Sequence, residues 1–137
     1  MVEYRIRRAL ASMADAQAIA RLEAATLGDS DLTPAEMLSV LRLSGQFVYL
    51  AYAKEDCVGM LATFDAPAPG ATRLELDMLG VVQDWRGRGV AKELVKRAIA
   101  EGRVRGCTQM RAIVATDNLA SRCVFEHCGL EVHGKPR

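Results

Sequence analysis

Residues 81–91, Val81-Val82-Gln83-Asp84-Trp85-Arg86-Gly87-Arg88-Gly89-Val90-Ala91, constrain this chain more than any other stretch. They read as the end of a strand, a tight glycine turn, and the start of a helix with Val90, Leu94, Val95, Ala98 and Ile99 on one face. In such a turn successive N–H groups point inward and join the unpaired donors and positive dipole end of the helix. Two glycines let the main chain approach a ligand closely, and Arg86 and Arg88 add charge, so the segment predicts a pyrophosphate cradle. It is not a Walker loop, because no Gly-Lys-Ser/Thr follows. Nor is it the G-x-G-x-x-G dinucleotide fingerprint, since the position three beyond Gly89 is Lys92. The competing reading is a structural turn feeding an Arg-rich, solvated helix face.

Around that turn the pattern alternates between strand and helix signals. Tyr4 to Arg8 reads as an opening strand, and Met13 to Leu27 as a helix with Ser12 as its cap and Gly28 as its stop. Thr33-Pro34-Ala35-Glu36 combines a cap, a proline at the first helical position and a capping-box glutamate. Phe47 to Ala53 and Cys57 to Phe64 form a predicted hairpin, with 65–72 as a proline- and glycine-bearing loop. Arg73 to Val82 is the next strand, in which Gly80 suggests a bulge or a close backbone approach. Gly89–Glu101 and Leu119–His127 read as helices, Gln109–Val114 as a strand, and Leu130–His133 as the start of a last strand. The expected architecture is α+β, a mixed, mostly antiparallel sheet flanked by helices, in one domain over 1–137.

Composition narrows the function classes. Only 5 % of residues are aromatic, which argues against a platform for stacking bases, so nucleic acid is an unexpected partner. The net charge of +1 conceals a basic segment, residues 81–112 with eight basic and three acidic side chains. That distribution suits a bound anion better than whole-surface nucleic-acid binding. No apolar run approaches the length of a membrane helix and the first residues lack a signal-peptide core, so a cytoplasmic protein with no membrane partner is expected. Cys57, Cys107, Cys123 and Cys128 form no C-x-x-C pair, and neither His127 nor His133 completes a ligand set, so no metal is expected.

Arg86-Gly87-Arg88-Gly89-Val90-Ala91 fits Gln/Arg-x-x-Gly-x-Gly/Ala and resembles the acetyl-CoA signature of the GCN5-related N-acetyltransferase (GNAT) superfamily. Asn118 through Leu130 is similar to the family's second motif, an Asn-x-x-Ala helix running into Gly-Phe/Leu, with Ser121 at the alanine position, and Ile6 to Glu23 to its first strand and helix. The resemblance spans nearly the whole chain in the family's order. It implies a GNAT-like fold, acetyl-CoA as cosubstrate and an amine acceptor, either a small molecule or a protein amine. Residue by residue, it implies that Leu79 and Val81 offer backbone groups to the pantetheine arm. Arg86, Gly87, Arg88, Gly89, Val90, Ala91 and the Lys92 amide would hold the pyrophosphate. Asn118 would bind the arm near the thioester, against a plain reading as a helix N-cap. A backbone N–H near Val82 would stabilise the developing oxyanion.

Transfer to an amine sets two proton demands. The acceptor is mostly ammonium at neutral pH and needs a base. Glu75, eleven residues before Arg86, resembles the glutamate base of the histone-type branch, and Asp77 is the second candidate. Strict alternation puts Glu75, Asp77 and Leu79 on one face of the strand. The departing thiolate needs an acid, and the family's tyrosine position is here Phe125, which has no hydroxyl. Cys123, Ser121 and Tyr52 are substitutes that spacing does not rank. The family's final strand also has no counterpart before Arg137, so either the end is missing from this sequence, or a neighbouring subunit supplies the strand, or the fold does without it; an unpaired strand edge favours a homodimer or a truncated chain. The acidic first half, including Asp29, Asp31 and Asp65, favours a cationic acceptor. Two function classes therefore stand: an acetyl-CoA-dependent N-acetyltransferase, and a non-catalytic acyl-CoA-binding regulatory domain.

Overall fold

In the computed structural model, which describes residues 3–26, 32–112 and 119–131, alternating apolar segments line up as one sheet. Strands β1 (Arg5–Arg8), β2 (Gln46–Ala53), β3 (Asp56–Ala68), β4 (Ala71–Val81) and β5 (Gln109–Ala112) follow chain order across it. The first four are antiparallel, and β4 and β5 are parallel, joined by the crossover helix α3 (Val90–Val104). Helices α1 (Met13–Thr26) and α2 (Pro34–Leu41) cover one face, and α3 with α4 (Leu119–His127) covers the other. The mixed, mostly antiparallel sheet flanked by helices is the architecture expected from the sequence.

Period-two alternation along β2 divides the core. Val48 and Leu50 meet Ala16, Ile19, Leu22 and Met37 on the α1 face, while Tyr49 and Ala51 meet Leu94, Val95 and Ala98 on the α3 face. The capping box forms as read: the Thr33 hydroxyl accepts from the Glu36 N–H at 3.2 Å, and the Glu36 carboxylate accepts from the Thr33 N–H at 3.0 Å.

Two segments depart from expectation. Residues 65–72 are not a loop: β3 and β4 continue to a tight turn at Pro69-Gly70, with Pro67 opposite Thr72 near the end of the ladder. Proline is tolerated there because few ladder bonds remain for it to break, and Asp65 is fixed by the Arg105 guanidinium at 3.1 and 2.9 Å. Helix α3 also runs through Gly102, because a Cβ there would lie 2.9 Å from Leu74 Cδ2, so close packing outweighs helix propensity. Gly28, Asp29, Asp31, Val114, Asn118 and His133 lie outside the described residues. Leu130 and Glu131, expected in a last strand, are not in one.

One buried carboxylate ties β1, α1 and β2 together. Asp15, 3 % exposed, accepts from Arg7 at 2.8 and 2.8 Å, from the Leu10 N–H at 2.7 Å and from the Tyr52 hydroxyl at 3.2 Å. The Arg7 guanidinium first, then the Leu10 N–H, hold its carboxyl below the ordinary aspartate range, against burial that pushes the other way. A carboxyl lowered on folding contributes stability above its unfolded value, and that contribution is lost as pH falls through the folded one. Asp15→Asn should therefore lower stability by about 1–3 kcal/mol at pH 7, with the gap to wild type narrowing below about pH 4 in urea titrations.

Candidate functional site

The site is built where β4 leaves its neighbour. Ala62 pairs with Met78 but Thr63 pairs with Leu76, so Asp77 is an extra residue in β4, three positions before Gly80, where the sequence hinted at a bulge. The slip shows in the packing. Leu74 and Leu76 face α3, Met78 faces α1, and Leu79 and Val81 return to the α3 face. Glu75, between Leu74 and Leu76, therefore lies on the face opposite Leu79, which corrects the expectation that Glu75, Asp77 and Leu79 point one way.

Pairing of β4 with β5 covers Arg73–Leu76 opposite Gln109–Ala112, the last residues described before 119. Beyond it, among the described residues, no strand pairs with that edge of 77–81. The Val82 N–H donates to the Val58 carbonyl at 2.9 Å, so it is spent inside the sheet, which leaves its neighbours for the backbone N–H near Val82 that the sequence reading expects. By alternation the main-chain groups of Val81 and Leu79 face the open edge. The Val81 carbonyl is covered by the Arg86 side chain, whose Nε donates to it at 3.0 Å, and its N–H remains.

The turn follows directly. A short 3₁₀ turn, Gln83–Trp85, leads into Gly87 at φ +77° and Gly89 at φ +84°, both in the left-handed region that glycine enters without strain. Gly89 is the N-cap of α3 and brings no side-chain cap, and the first bond back to it comes from Glu93 at 3.0 Å. The N–H groups of Val90, Ala91 and Lys92 are thus the uncapped first-turn donors of a 15-residue helix. Arg88 lies 4.6 Å over the Trp85 ring, which meets Tyr4 edge-on at 6.1 Å. Alongside runs an open groove of about 690 Å³ between β1 and α3, lined by Tyr4, Arg88, Lys92, Lys96 and Arg97 among others.

The carboxylates differ in their surroundings. Glu75, 5 % exposed, accepts from Arg73 Nε at 2.6 Å and from Arg111 at 2.8 and 3.2 Å, so both oxygens are engaged. Sequence reasoning missed these guanidiniums, though Arg73 two residues earlier was a visible signal and the Glu75–Arg111 register needed the parallel pairing. Asp77 is exposed at the bulge. Phe125 is buried against α3 and supplies packing. Tyr52 is held in the Asp15 cluster, its hydroxyl pushed up to about 12 by burial, and Cys57 beside it is pushed up to about 11 by the same cause. Neither is suited to give up a proton near neutral pH. Among the described residues no three His, Cys, Asp or Glu side chains gather as a metal site, and no helix is long and apolar enough to cross a membrane.

Comparison with known proteins adds lineage to this geometry. The profile of the Acetyltransferase (GNAT) family matches residues 12–130. The N-alpha-acetyltransferase MAK3 of Arabidopsis thaliana is 31 % identical over 84 residues, 61 % of this chain and 44 % of the relative, so the chain spans less than half of that protein. An aminoglycoside acetyltransferase from an uncultured soil metagenomic sample superposes with a TM-score of 0.86 at 14 % identity, over 97 % of this chain and 91 % of its own. An aminoglycoside N-acetyltransferase in complex with CoA superposes at 0.78 and 20 % identity, over 96 % and 90 %. At such identities the superpositions establish the fold.

The turn makes its own prediction. A Cβ at Gly89 would meet nothing within 4 Å, so Gly89→Ala should cost about 1 kcal/mol through φ alone. Gly89→Asn should cost less, because asparagine tolerates that region, and urea midpoints of the two variants rank them.

Proposed function

The chain belongs to the Acetyltransferase (GNAT) family, and we propose that it is an acetyl-CoA-dependent N-acetyltransferase acting on a primary amine by direct attack. The observation that carries this reading is the edge of β4 at Leu79 and Val81, turned away from β3 and unpaired among the described residues, running straight into an uncapped, glycine-lined helix start. Such an edge offers backbone groups to an extended amide-bearing arm as a partner strand would. The turn beyond it offers N–H donors to a diphosphate. The residues therefore fit acetyl-CoA, whose bound thioester supplies the activated acetyl group.

Leu79 aligns the arm through its backbone, the Val81 carbonyl being taken by Arg86. The N–H groups of Val90, Ala91 and Lys92, freed by the φ of Gly87 and Gly89, receive the diphosphate with Arg86 and Arg88. The Val81 N–H, rather than that of Val82, faces the carbonyl oxygen as charge develops on it. Asp77 takes the proton of the acceptor ammonium. The sequence favoured Glu75 for that role, but two guanidiniums occupy its oxygens, so Glu75 fastens β4 to β5 beside the site and Asp77 is the better acceptor. No hydroxyl stands at Phe125, so the thiol departs as thiolate, which its ordinary pKa of about 8.5 permits.

The buried, hydroxyl-free Phe125 also supports the second reading, an acyl-CoA-binding domain without turnover. Acceptor-dependent thiol release separates the two. With an amine panel the wild type should release CoA. Asp77→Asn should lower kcat by about 10²-fold or more, while Glu75→Gln keeps kcat within about tenfold and loses stability. Full activity in Asp77→Asn with collapse in Glu75→Gln would return the base to Glu75. Binding without release for every amine would favour the regulatory domain.

A further inference from the structure

The arginines that hold this frame are matched by acids. Arg7 meets Asp15, Arg105 meets Asp65, and Arg73 and Arg111 share Glu75. Around the start of α3, Arg97 pairs with Glu101 at 3.0 Å, Lys96 reaches Glu93 at 4.0 Å, and Arg86 is spent on the Val81 carbonyl. Arg88 is held differently. Among the described residues no carboxylate pairs with it, and its guanidinium carbon sits 4.6 Å from the centre of the Trp85 ring, over its face.

That ring is fixed from two sides. Trp85 closes the 3₁₀ turn and packs, partly buried, on the core that α3 covers. Tyr4, just ahead of β1, meets it edge-on with the planes 82° apart, and Tyr4 and Arg88 line the same groove. Arg88 itself stands between Gly87 and Gly89, so no side chain within the turn borders it. A long side chain at such a point has much rotamer freedom to lose on meeting a ligand, and an aromatic face removes part of that cost in advance. The manner of holding decides what the charge can do. A carboxylate at position 85 would anchor Arg88 and cancel it. A ring attracts the guanidinium through its quadrupole and leaves the charge and the edge donors for an anion.

We infer that Trp85 is a positioning residue, which holds Arg88 ready and unneutralised beside the first-turn N–H groups of α3 to receive the diphosphate of acetyl-CoA. This rests on the acetyl-CoA reading of the turn and deepens it. Trp85 acts through Arg88, so its share of the affinity exists only while Arg88 is present.

The test is a double-mutant cycle read by calorimetric titration of acetyl-CoA. Arg88→Ala should raise Kd about tenfold, and Trp85→Leu about fivefold. Trp85→Leu/Arg88→Ala should bind within about twofold of Arg88→Ala alone, because the ring has nothing left to hold. Trp85→Tyr, which keeps an aromatic face, should stay within about twofold of wild type. In an acceptor assay KM for acetyl-CoA should follow these Kd values while kcat holds within about twofold. Single effects that multiply in the double variant, wild-type affinity in Trp85→Leu, or a Trp85→Tyr as weak as Trp85→Leu would overturn the assignment. Should Trp85→Leu fail to fold, Trp85 reports on itself, being the one tryptophan in the chain. Saturating inorganic diphosphate should then change its emission in wild type and leave it unmoved in Arg88→Ala, and an equal response in both would overturn the assignment. The transferase reading fails separately, as Kd values that follow the cycle with no thiol release for any amine, whereas no acetyl-CoA binding by folded wild type would overturn both.

Discussion

The functional half of this molecule depends on one extra residue in β4. Asp77 shifts the register against β3 by one and turns Met78 to the α1 face. With that register the main-chain groups of Leu79 and Val81 face away from β3, on an edge that no strand pairs with among the described residues and that continues into the glycine turn and the first turn of α3. A bulge costs ladder bonds locally, and the parallel stretch before it, fastened by Glu75 and Arg111 across the register, confines that cost to one side.

The frame around this opening is held by charge as much as by apolar packing. Arg105, just past α3, grips Asp65 with two nitrogens, donates to the Tyr49 hydroxyl at 3.3 Å and lies 3.8 Å over the Phe47 ring. It fixes the far end of α3 to β2 and β3, while Gly59 lets the near end approach β3, with Val90 Cγ1 only 3.0 Å from where its Cβ would be. The helix is thereby pinned at both ends, and its N-terminus is presented at a fixed place beside β4. Bidentate, partly enclosed arginine pairs of this kind have the geometry in which ion pairs contribute most.

Much of this was legible in the sequence because the signals were local. The Thr33–Glu36 box, the apolar stripe of α3 and the Gly87 and Gly89 turn each act within a few residues, and each formed as read. What escaped depended on strand partners. The 65–68 continuation of β3 needed Thr72 and Arg105 to outweigh two prolines. The face change at Asp77 needed the β3 register, since alternation alone predicts the wrong side for Leu79. The occupation of the Val82 N–H by Val58, and of Glu75 by Arg111, also arises between segments far apart in the chain.

The claim on which the rest stands is that the open edge and the glycine turn together hold acetyl-CoA. Calorimetric titration of acetyl-CoA into the purified protein, with ATP as the control ligand, addresses it most directly. The account predicts saturable one-site binding of acetyl-CoA and none of ATP, because a triphosphate can use the turn but has no amide-bearing arm for the strand edge. Absence of acetyl-CoA binding by folded protein would contradict it and reduce residues 86–91 to a structural turn, and equal binding of ATP would contradict it by showing a phosphate site that makes no use of the strand edge.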